Sequence, residues 1–582
     1  MKAWSSFLFL LLFLILAVFL PKTALAAEDI QDHNLLIIQG NALDSCGNPL
    51  SAAAVTPFLN GRPLKAIATN SLSKTNQETG PNGLFRIEVP AKENDIKSGK
   101  WTIRVTRSSF APSQLIDLKV LDDGVLEGGI HGWIANASIQ LKRVRGMAFW
   151  ITLVVFVGIY ILIAFDIMHR TLAAFLGAAL VLLITHTVGY FYEEYRIITW
   201  NQALHAIDWN VIFLLMGMMI IVGVLKVSGI FQWLAYKSFH VARGNIYILA
   251  TALCIVTAFV SAFLDNVTTM LLLTPVTLEI ALALKTSPFV FLLPEILASN
   301  FGGTATLIGD PPNIMIGSYA GLTFNDFVIN LTPVVIAALI VQVIYNRFLY
   351  GADYDRAKVV DTPQMIQFMR KKYKITDPKL LCIGGSLLLG VIALFVFHGF
   401  FHMQVSVAAI FGAALIIILC RMEIVDIIER EIEWPSLIFF IMLFIVVGAA
   451  DQAGILQVVA DWIKNVCQDK LWLAVVVVVW VSGLASSIID NIPYTATMLP
   501  VVAFLSKQLP GAESGVLWWA LALGACFGGN GTIIGASANV VTTGIAEKAG
   551  YKITFMEFLK QAAPMTVISL IISTIFLLVR YG

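Results

Sequence analysis

The chain has 582 residues, 58% of them hydrophobic and only 13% charged, against about 25% charged in soluble domains, so a soluble globular fold is excluded and the chain belongs in a bilayer. Thirty-eight Lys and Arg against 37 Asp and Glu leave a net charge of +1, which offers no basic field to hold nucleic acid. Six cysteines without a CxxC pair give neither a disulfide framework nor a zinc site.

In chain order, residues 1–27 read as a signal peptide or a retained signal anchor. An apolar run from Trp4 to Leu20 follows Lys2, and Pro21 and the small-residue stretch Thr23-Ala24-Leu25-Ala26-Ala27 close it. From 28 to 143 the composition reverses. Short alternating runs such as Leu84-Phe85-Arg86-Ile87-Glu88-Val89 and Trp101-Thr102-Ile103-Arg104-Val105 are spaced by Gly, Asn and Pro, the pattern of strands in a small β-sandwich. The order Gly40-x3-Asp44-x2-Gly47-Asn48-Pro49-Leu50, then Gly80-x2-Gly83-x-Phe85-x-Ile87, resembles carboxypeptidase-regulatory or transthyretin-like domains. Behind a signal, this domain is expected on the extracytoplasmic side, periplasmic, extracellular or lumenal, as a folded cap, with ligand sensing as the alternative.

From Met147 onward the sequence predicts a multi-pass membrane region. Spans are expected at 147–165, 172–190, 209–227, 245–284, 289–319 and 327–349, and again at 379–398, 404–420, 434–450, 471–506, 516–546 and 560–580. The series occurs twice, and it repeats at the level of single residues. Trp209 and Ser261-x3-Asp265-Asn266-x8-Pro275 recur 225 positions later as Trp434 and Ser486-x3-Asp490-Asn491-x8-Pro500. Gly302-Gly303-x2-Thr306-x2-Gly309-x3-Asn313 recurs as Gly528-Gly529-x2-Thr532-x2-Gly535-x3-Asn539, and Thr323-Phe324-x2-Phe327-x5-Pro333 as Thr554-Phe555-x2-Phe558-x5-Pro564. The halves are therefore 147–350 and 379–582, joined by a cytoplasmic connector at 351–378.

If 245–284 and 471–506 are re-entrant hairpins, each half crosses the membrane five times and the second half is inverted. Charge agrees with an outside N-terminal domain: the loops then facing the cytoplasm carry 18 Lys and Arg, those facing outside after Met147 carry 5. Arg143 and Arg145 run against this bias, which a translocated folded domain overrides. The expected fold is an all-α polytopic membrane protein of two inverted repeats, each with a re-entrant hairpin and a broken helix, preceded by a small extracytoplasmic β-sandwich.

Polar, helix-breaking sequence at membrane depth needs a cavity to line. Asp265 and Asp490 at the hairpin tips, and Gly302, Gly303, Gly309, Gly528, Gly529 and Gly535 in two spans, point to ion coordination. Broken helices free carbonyls for a small cation and N-termini for an anion. Asn266, Thr268, Thr304, Thr306, Asn313, Asn491, Thr495, Asn530, Thr532 and Asn539 add neutral ligands. Asp265 and Asp490 fit cation ligands, proton carriers or helix N-caps. Asp310 faces Ala536 across the repeat and Glu295 faces Leu521, so the first half has two further acids, read as coupling or substrate-side groups and proton carriers; a turn residue before Pro311-Pro312 is the alternative for Asp310. No Lys or Arg lies within these motifs. There is no Walker A loop, HExxH or GxSxG, so neither an ATP-driven pump nor an enzyme is expected. No metal is expected beyond a Na+ site, and no cofactor beyond Na+ or H+ as coupling ion.

Ala262 to Met270, with Leu264-Asp265-Asn266-Val267-Thr268-Thr269, Gly302 to Asn313, Ser486 to Thr497 and Gly528 to Val541 strongly resemble the melanosomal P protein (pink-eyed dilution) group. That group belongs to the superfamily that holds arsenite-efflux proteins of the ArsB branch, NhaD-type Na+/H+ antiporters, citrate transporters and sodium-coupled dicarboxylate symporters. The resemblance covers about Met147 to Arg580 and implies two inverted repeats, a scaffold that dimerises and a moving part built of hairpins and broken helices. Dicarboxylate symporters carry Ser-Asn-Thr at each hairpin tip, where this chain has Asp265-Asn266-Val267 and Asp490-Asn491-Ile492. The expected function is a secondary active transporter working by alternating access, Na+ or H+ coupled, that moves a small inorganic or carboxylate anion. NhaD-type Na+/H+ exchange, a passive anion channel and a membrane-anchored extracytoplasmic sensor are the alternatives. The expected partners are the bilayer, a small ion and a second copy in a homodimer.

Overall fold

The computed structural model describes residues 34–44, 50, 53–64, 79, 82–107, 110–111, 113–125, 131–142, 144–165, 167–356 and 373–581. The expected signal segment and most of the connector lie outside these residues. The chain divides into two compact units, Met1–Val144 and Arg145–Gly582.

Among the described residues of the first unit, eight strands form two four-stranded sheets: β1 (Asn34–Asp44), β2 (Ala54–Leu59), β3 (Arg62–Pro63), β4 (Leu84–Ala91), β5 (Trp101–Thr106), β6 (Ile116–Asp117), β7 (Val120–Val125) and β8 (His131–Leu141). The orders are β4-β1-β8-β7 and β3-β2-β5-β6. β1 runs antiparallel to β4 and parallel to β8. Alternation sends Phe85, Ile87 and Val89 inward and leaves Leu84 and Arg86 outside. Leu36, Ile38, Val55, Phe85, Trp101, Ile103 and Trp133 from both sheets share one core.

The second unit is helical, and among the described residues nine of its helices are long and apolar enough to cross a membrane. Large side chains such as Val154, Phe259, Leu389 and Ile418 are exposed on it, as a lipid-facing surface requires. Six helices form one group: Met147–Ala164, Arg170–His186, Trp209–Val227, Pro378–Phe397, Val405–Cys420 and Trp434–Ala453. They interlock across the halves, Arg170–His186 on Trp434–Ala453 and Val405–Cys420 on Trp209–Val227. We call this group the frame.

The other group contains the two predicted hairpins and the two predicted broken helices. The hairpins are Ile246–Ser261 with Asn266–Ala283 and Leu471–Ile488 with Asn491–Gln508. The broken helices are Phe289–Thr304 with Pro311–Ala320 and Val516–Gly528 with Ser537–Lys548. Here too the halves exchange partners: Asn266–Ala283 packs on Ser537–Lys548, and Asn491–Gln508 packs on Pro311–Ala320. The long helices Phe324–Arg356 and Phe555–Tyr581 flank them.

Two short helices, Ile230–Ala242 and Ile455–Cys467, were not among the expected spans. They begin at matched glycines, Gly229 and Gly454, held at φ +79° and +88°, a left-handed conformation that a side chain would strain. Ile455–Cys467 buries Leu456, Ala460 and Ile463 and turns Gln457, Asp461 and Lys464 the other way. A run this short and two-faced gives no hydropathy signal for a span.

Candidate ion-binding site

Both hairpin tips are built on helix caps. Asp265 Oδ1 accepts from Thr268 N at 2.8 Å and its other oxygen from Thr268 Oγ1 at 2.5 Å, while Asp490 Oδ1 accepts from Ile492 N at 3.0 Å. The N-cap reading of the two aspartates is therefore realised. Their surroundings differ beyond the caps. Asp490 Oδ2 also accepts from Ser537 Oγ at 2.6 Å and from Arg170 Nη1 at 3.2 Å. Arg170 hydrogen-bonds Ser537 as well, donates from Nη2 to Ser436 Oγ at 3.2 Å, and lies 5.4 Å from the centre of the Phe439 ring. The motifs themselves hold no cation, yet this arginine on a frame helix enters the second hairpin tip. Tyr160, also on the frame, donates to the Pro493 carbonyl at 2.7 Å and bonds Thr497.

Asp310 is fully buried. It precedes two prolines, of which the second removes the N2 donor, and its carboxylate makes no cap bond. It turns instead to the other half, where Asn491 Nδ2 reaches its two oxygens at 3.2 and 3.4 Å. The simple turn reading of Asp310 misses this link.

An amide relay joins the rest. Asn266 Nδ2 donates to Asn300 Oδ1 at 3.0 Å, and Asn300 Nδ2 donates to Asn530 Oδ1 at 2.8 Å and Asn539 Oδ1 at 3.0 Å. Asn300 was not predicted. Its mate across the repeat is Cys526, so the repeat carries no trace of it; only its polarity within an apolar run could have raised it.

At each break two of the carbonyls take a hydrogen bond from an asparagine. Asn313 Nδ2 donates to the carbonyls of Thr304 at 3.0 Å and Thr306 at 2.8 Å, and Asn539 Nδ2 to those of Gly529 at 2.7 Å and Thr532 at 2.8 Å. Each break is thus braced by its own asparagine, and Thr306 and Thr532 tie the breaks to the Ala262 and Ser487 carbonyls of the hairpin turns. Thr304 and Thr495 bond carbonyls one turn back, at Asn300 and Asn491, and serve their own helices.

The glycines explain how the elements come so close. A Cβ on Gly302 would lie 2.1 Å from the Ala258 carbonyl oxygen and one on Gly528 2.5 Å from that of Gly483. Gly309 and Gly535 would meet the Ser261 and Ser486 carbonyls at 2.5 and 2.9 Å, and Gly303 and Gly529 the carbonyls of Gly309 and Gly535 at 2.5 and 3.0 Å. Gly302 and Gly528 lie inside helices rather than in the breaks, and their role is close helix approach, while Gly303 makes room for the break at Gly309 to fold back on its own helix. Glu295 stands apart from this cluster; its hydrogen bond is from Thr277 Oγ1 at 3.0 Å.

A many-spanned helical unit whose buried polar groups gather where two hairpins meet two broken helices is the architecture of a membrane transporter. The chain belongs to the CitMHS citrate transporter family, whose sequence profile matches residues 160–524. It is 41% identical to an uncharacterized transporter of Mycobacterium bovis over 437 residues, 74% of this chain and 98% of that protein. It is 36% identical to the human P protein over 499 residues, 73% of this chain and 59% of that longer protein, in keeping with the P protein group that the motifs resemble. In fold it is similar to the YdaH transporter of Alcanivorax borkumensis, with a TM-score of 0.50 at 13% identity, covering 71% of this chain and 98% of that one.

Proposed function

We propose that this secondary transporter moves a small anion, carboxylate or inorganic, coupled to H+ or Na+, by alternating access of two inverted repeats, with the N-terminal unit outside and the frame forming a homodimer. The observation that carries this is the meeting of four helix N-termini in one hydrogen-bonded cluster. The helix starting at Asn491 reaches Asp310, which starts Pro311–Ala320; Asp490 holds Ser537, first residue of the next; and Asn266 reaches Asn539 through Asn300. Each N-terminus presents about half a positive charge; Asp265 and Asp490 cap two of them, and the two without a side-chain cap bond, at Pro311 and Ser537, favour an anion. Asp265, Asp310 and Asp490 in the same cluster supply negative charge for a coupling cation or proton. The family's description as citrate transporters favours a di- or tricarboxylate, while the aspartates at both tips, in place of Ser-Asn-Thr, depart from the dicarboxylate symporters and keep an inorganic anion as the alternative.

The three aspartates also support Na+/H+ exchange of the NhaD type as a second reading. Proteoliposomes tested for citrate, succinate, chloride and arsenite uptake, and for Na+/H+ exchange, separate the readings. Asp265→Asn is expected to cut coupled flux at least about tenfold, the equivalent of about 1.4 kcal/mol. Wild-type flux in Asp265→Asn and Asp490→Asn would remove the site, and conductance without coupling to a Na+ or pH gradient would make the protein a passive anion channel.

A further inference from the structure

Glu295 lies outside the tip cluster, and the transport site proposed above does not include it. It is fully buried on Phe289–Thr304, a turn and a half before Asn300. Oε1 accepts from Thr277 Oγ1 at 3.0 Å, while Oε2 has no hydrogen-bond partner. The helices packed against Phe289–Thr304 are Ile246–Ser261, Asn266–Ala283, Phe324–Arg356, Val516–Gly528, Ser537–Lys548 and Phe555–Tyr581. The first and fourth of these have no charged residue, and the second has only Glu279. Ser537–Lys548 has Glu547 and Lys548 in its last turn, and Phe555–Tyr581 has Glu557, Lys560 and Arg580 near its ends. Phe324–Arg356 has Asp326 near its start and Arg347, Asp353, Asp355 and Arg356 towards its end, with Arg347 paired to Asp355 at 3.0 Å. No ion pair involves Glu295 among the described residues.

The titratable group beside it is Cys254, whose Sγ takes a long hydrogen bond from Asn346; Tyr354 bonds further along the same helix, donating to the Val290 carbonyl at 3.1 Å. Next to Glu295, Gln342 donates from Nε2 to the Pro294 carbonyl at 2.7 Å, and its own Oε1 lacks a donor. Glu295 Oε2 and Gln342 Oε1 are therefore both buried acceptors with no donor, the first on a carboxylate that has no ion pair among the described residues. Buried acceptors are normally satisfied, and an unpaired carboxylate in a dry interior is the costliest form of this defect. One proton on Oε2 removes the charge and turns that oxygen into a donor. A Na+ ion would instead need several oxygens gathered around it, whereas among the described residues the hydrogen-bond partner of this carboxylate is Thr277 Oγ1.

We propose that Glu295 is a proton-binding site separate from the hairpin-tip cluster, occupied in this conformation, with Gln342 Oε1 as the acceptor that positions the proton. Its use as a coupling site rests on the transporter reading; its occupancy does not. The test is infrared spectroscopy of the full-length protein in lipid, read at the carbonyl stretch of a protonated carboxyl. Wild type should show such a band at neutral pH that fades as pH is raised, persists when Na+ is added at fixed pH and remains in Asp265→Asn. It should be missing from Glu295→Gln, which mimics the protonated shape and should fold. Gln342→Leu should move the band to the higher frequency of a carboxyl with one hydrogen bond fewer. Absence of any Glu295-dependent band, or its loss on adding Na+, overturns the proposal. An intact band alongside wild-type flux in the aspartate variants would sink the tip site alone.

Discussion

Arg170→Ala is expected to destabilise the protein by about 3 kcal/mol, because it leaves Asp490 charged, nearly buried and without its cation. The side chains are 25% and 9% exposed, so the guanidinium is partly solvated and the cost falls at the low end for a broken buried pair. Asp490 would keep Ser537 and the Ile492 N–H, which hold the carboxylate in place without neutralising it. The double variant Arg170→Ala/Asp490→Asn removes both charges and should recover most of the loss in melting temperature, while flux stays low because the tip acid is gone. Arg170→Lys should recover little: an ammonium cannot reach Asp490 and Ser436 together while lying over Phe439. Melting of wild type, Arg170→Ala, Asp490→Asn and the double variant in one detergent completes the cycle. Equal destabilisation in the single and double variants would mean that the charge pair is not what Arg170 contributes.

This pair also ties the frame to the second hairpin, together with Tyr160 and its bonds to Pro493 and Thr497. Alternating access by movement of the hairpin group against the frame would require these contacts to break in each cycle. The first hairpin has a different link: Asp265 is bonded within its own tip, and the frame's Asn210 instead donates to Ser318 of the broken helix at 3.1 Å. The halves therefore repeat in shape and differ in charge.

The shape was legible in the sequence and most of the charge arrangement was not. Asp265, Asp490 and Pro311 fall at helix starts because capping and proline chemistry are local, so the repeated blocks located the tips and breaks. Arg170 lies 320 residues from Asp490 in sequence and belongs to no repeated block, and only the packing of Arg170–His186 on Trp434–Ala453 brings it in. The glycines were found, but for half of the right reason. Backbone breaking is visible in sequence, whereas contact between Gly302 and Ala258 depends on which helices become neighbours.

That contact gives the second large effect. Gly302→Ala should abolish folded protein, since the added Cβ meets backbone at three points, 2.1 to 2.6 Å from atoms of Ala258, and backbone cannot rotate aside. Overpacking commonly costs about 1–3 kcal/mol where side chains can adjust; here Ile246–Ser261 must move away as a whole. That movement would break the 2.7 Å bond from Ser261 Oγ to the Ser299 carbonyl and the tie from Thr306 to Ala262, and with them the placement of Asn266 against Asn300. The same substitution at Gly385, where a Cβ meets nothing within 4 Å, is expected to be neutral or to stabilise by up to about 1 kcal/mol through helix propensity. Size-exclusion profiles and melting curves of the two variants provide the comparison, and equal behaviour would refute the close-approach role. Gly528→Ala, against Gly483 in the other half, should fail as Gly302→Ala does. Matched losses at the glycines beside unmatched losses at Asp265 and Asp490 would separate the property that the repeats share, packing, from the one that they have divided, charge.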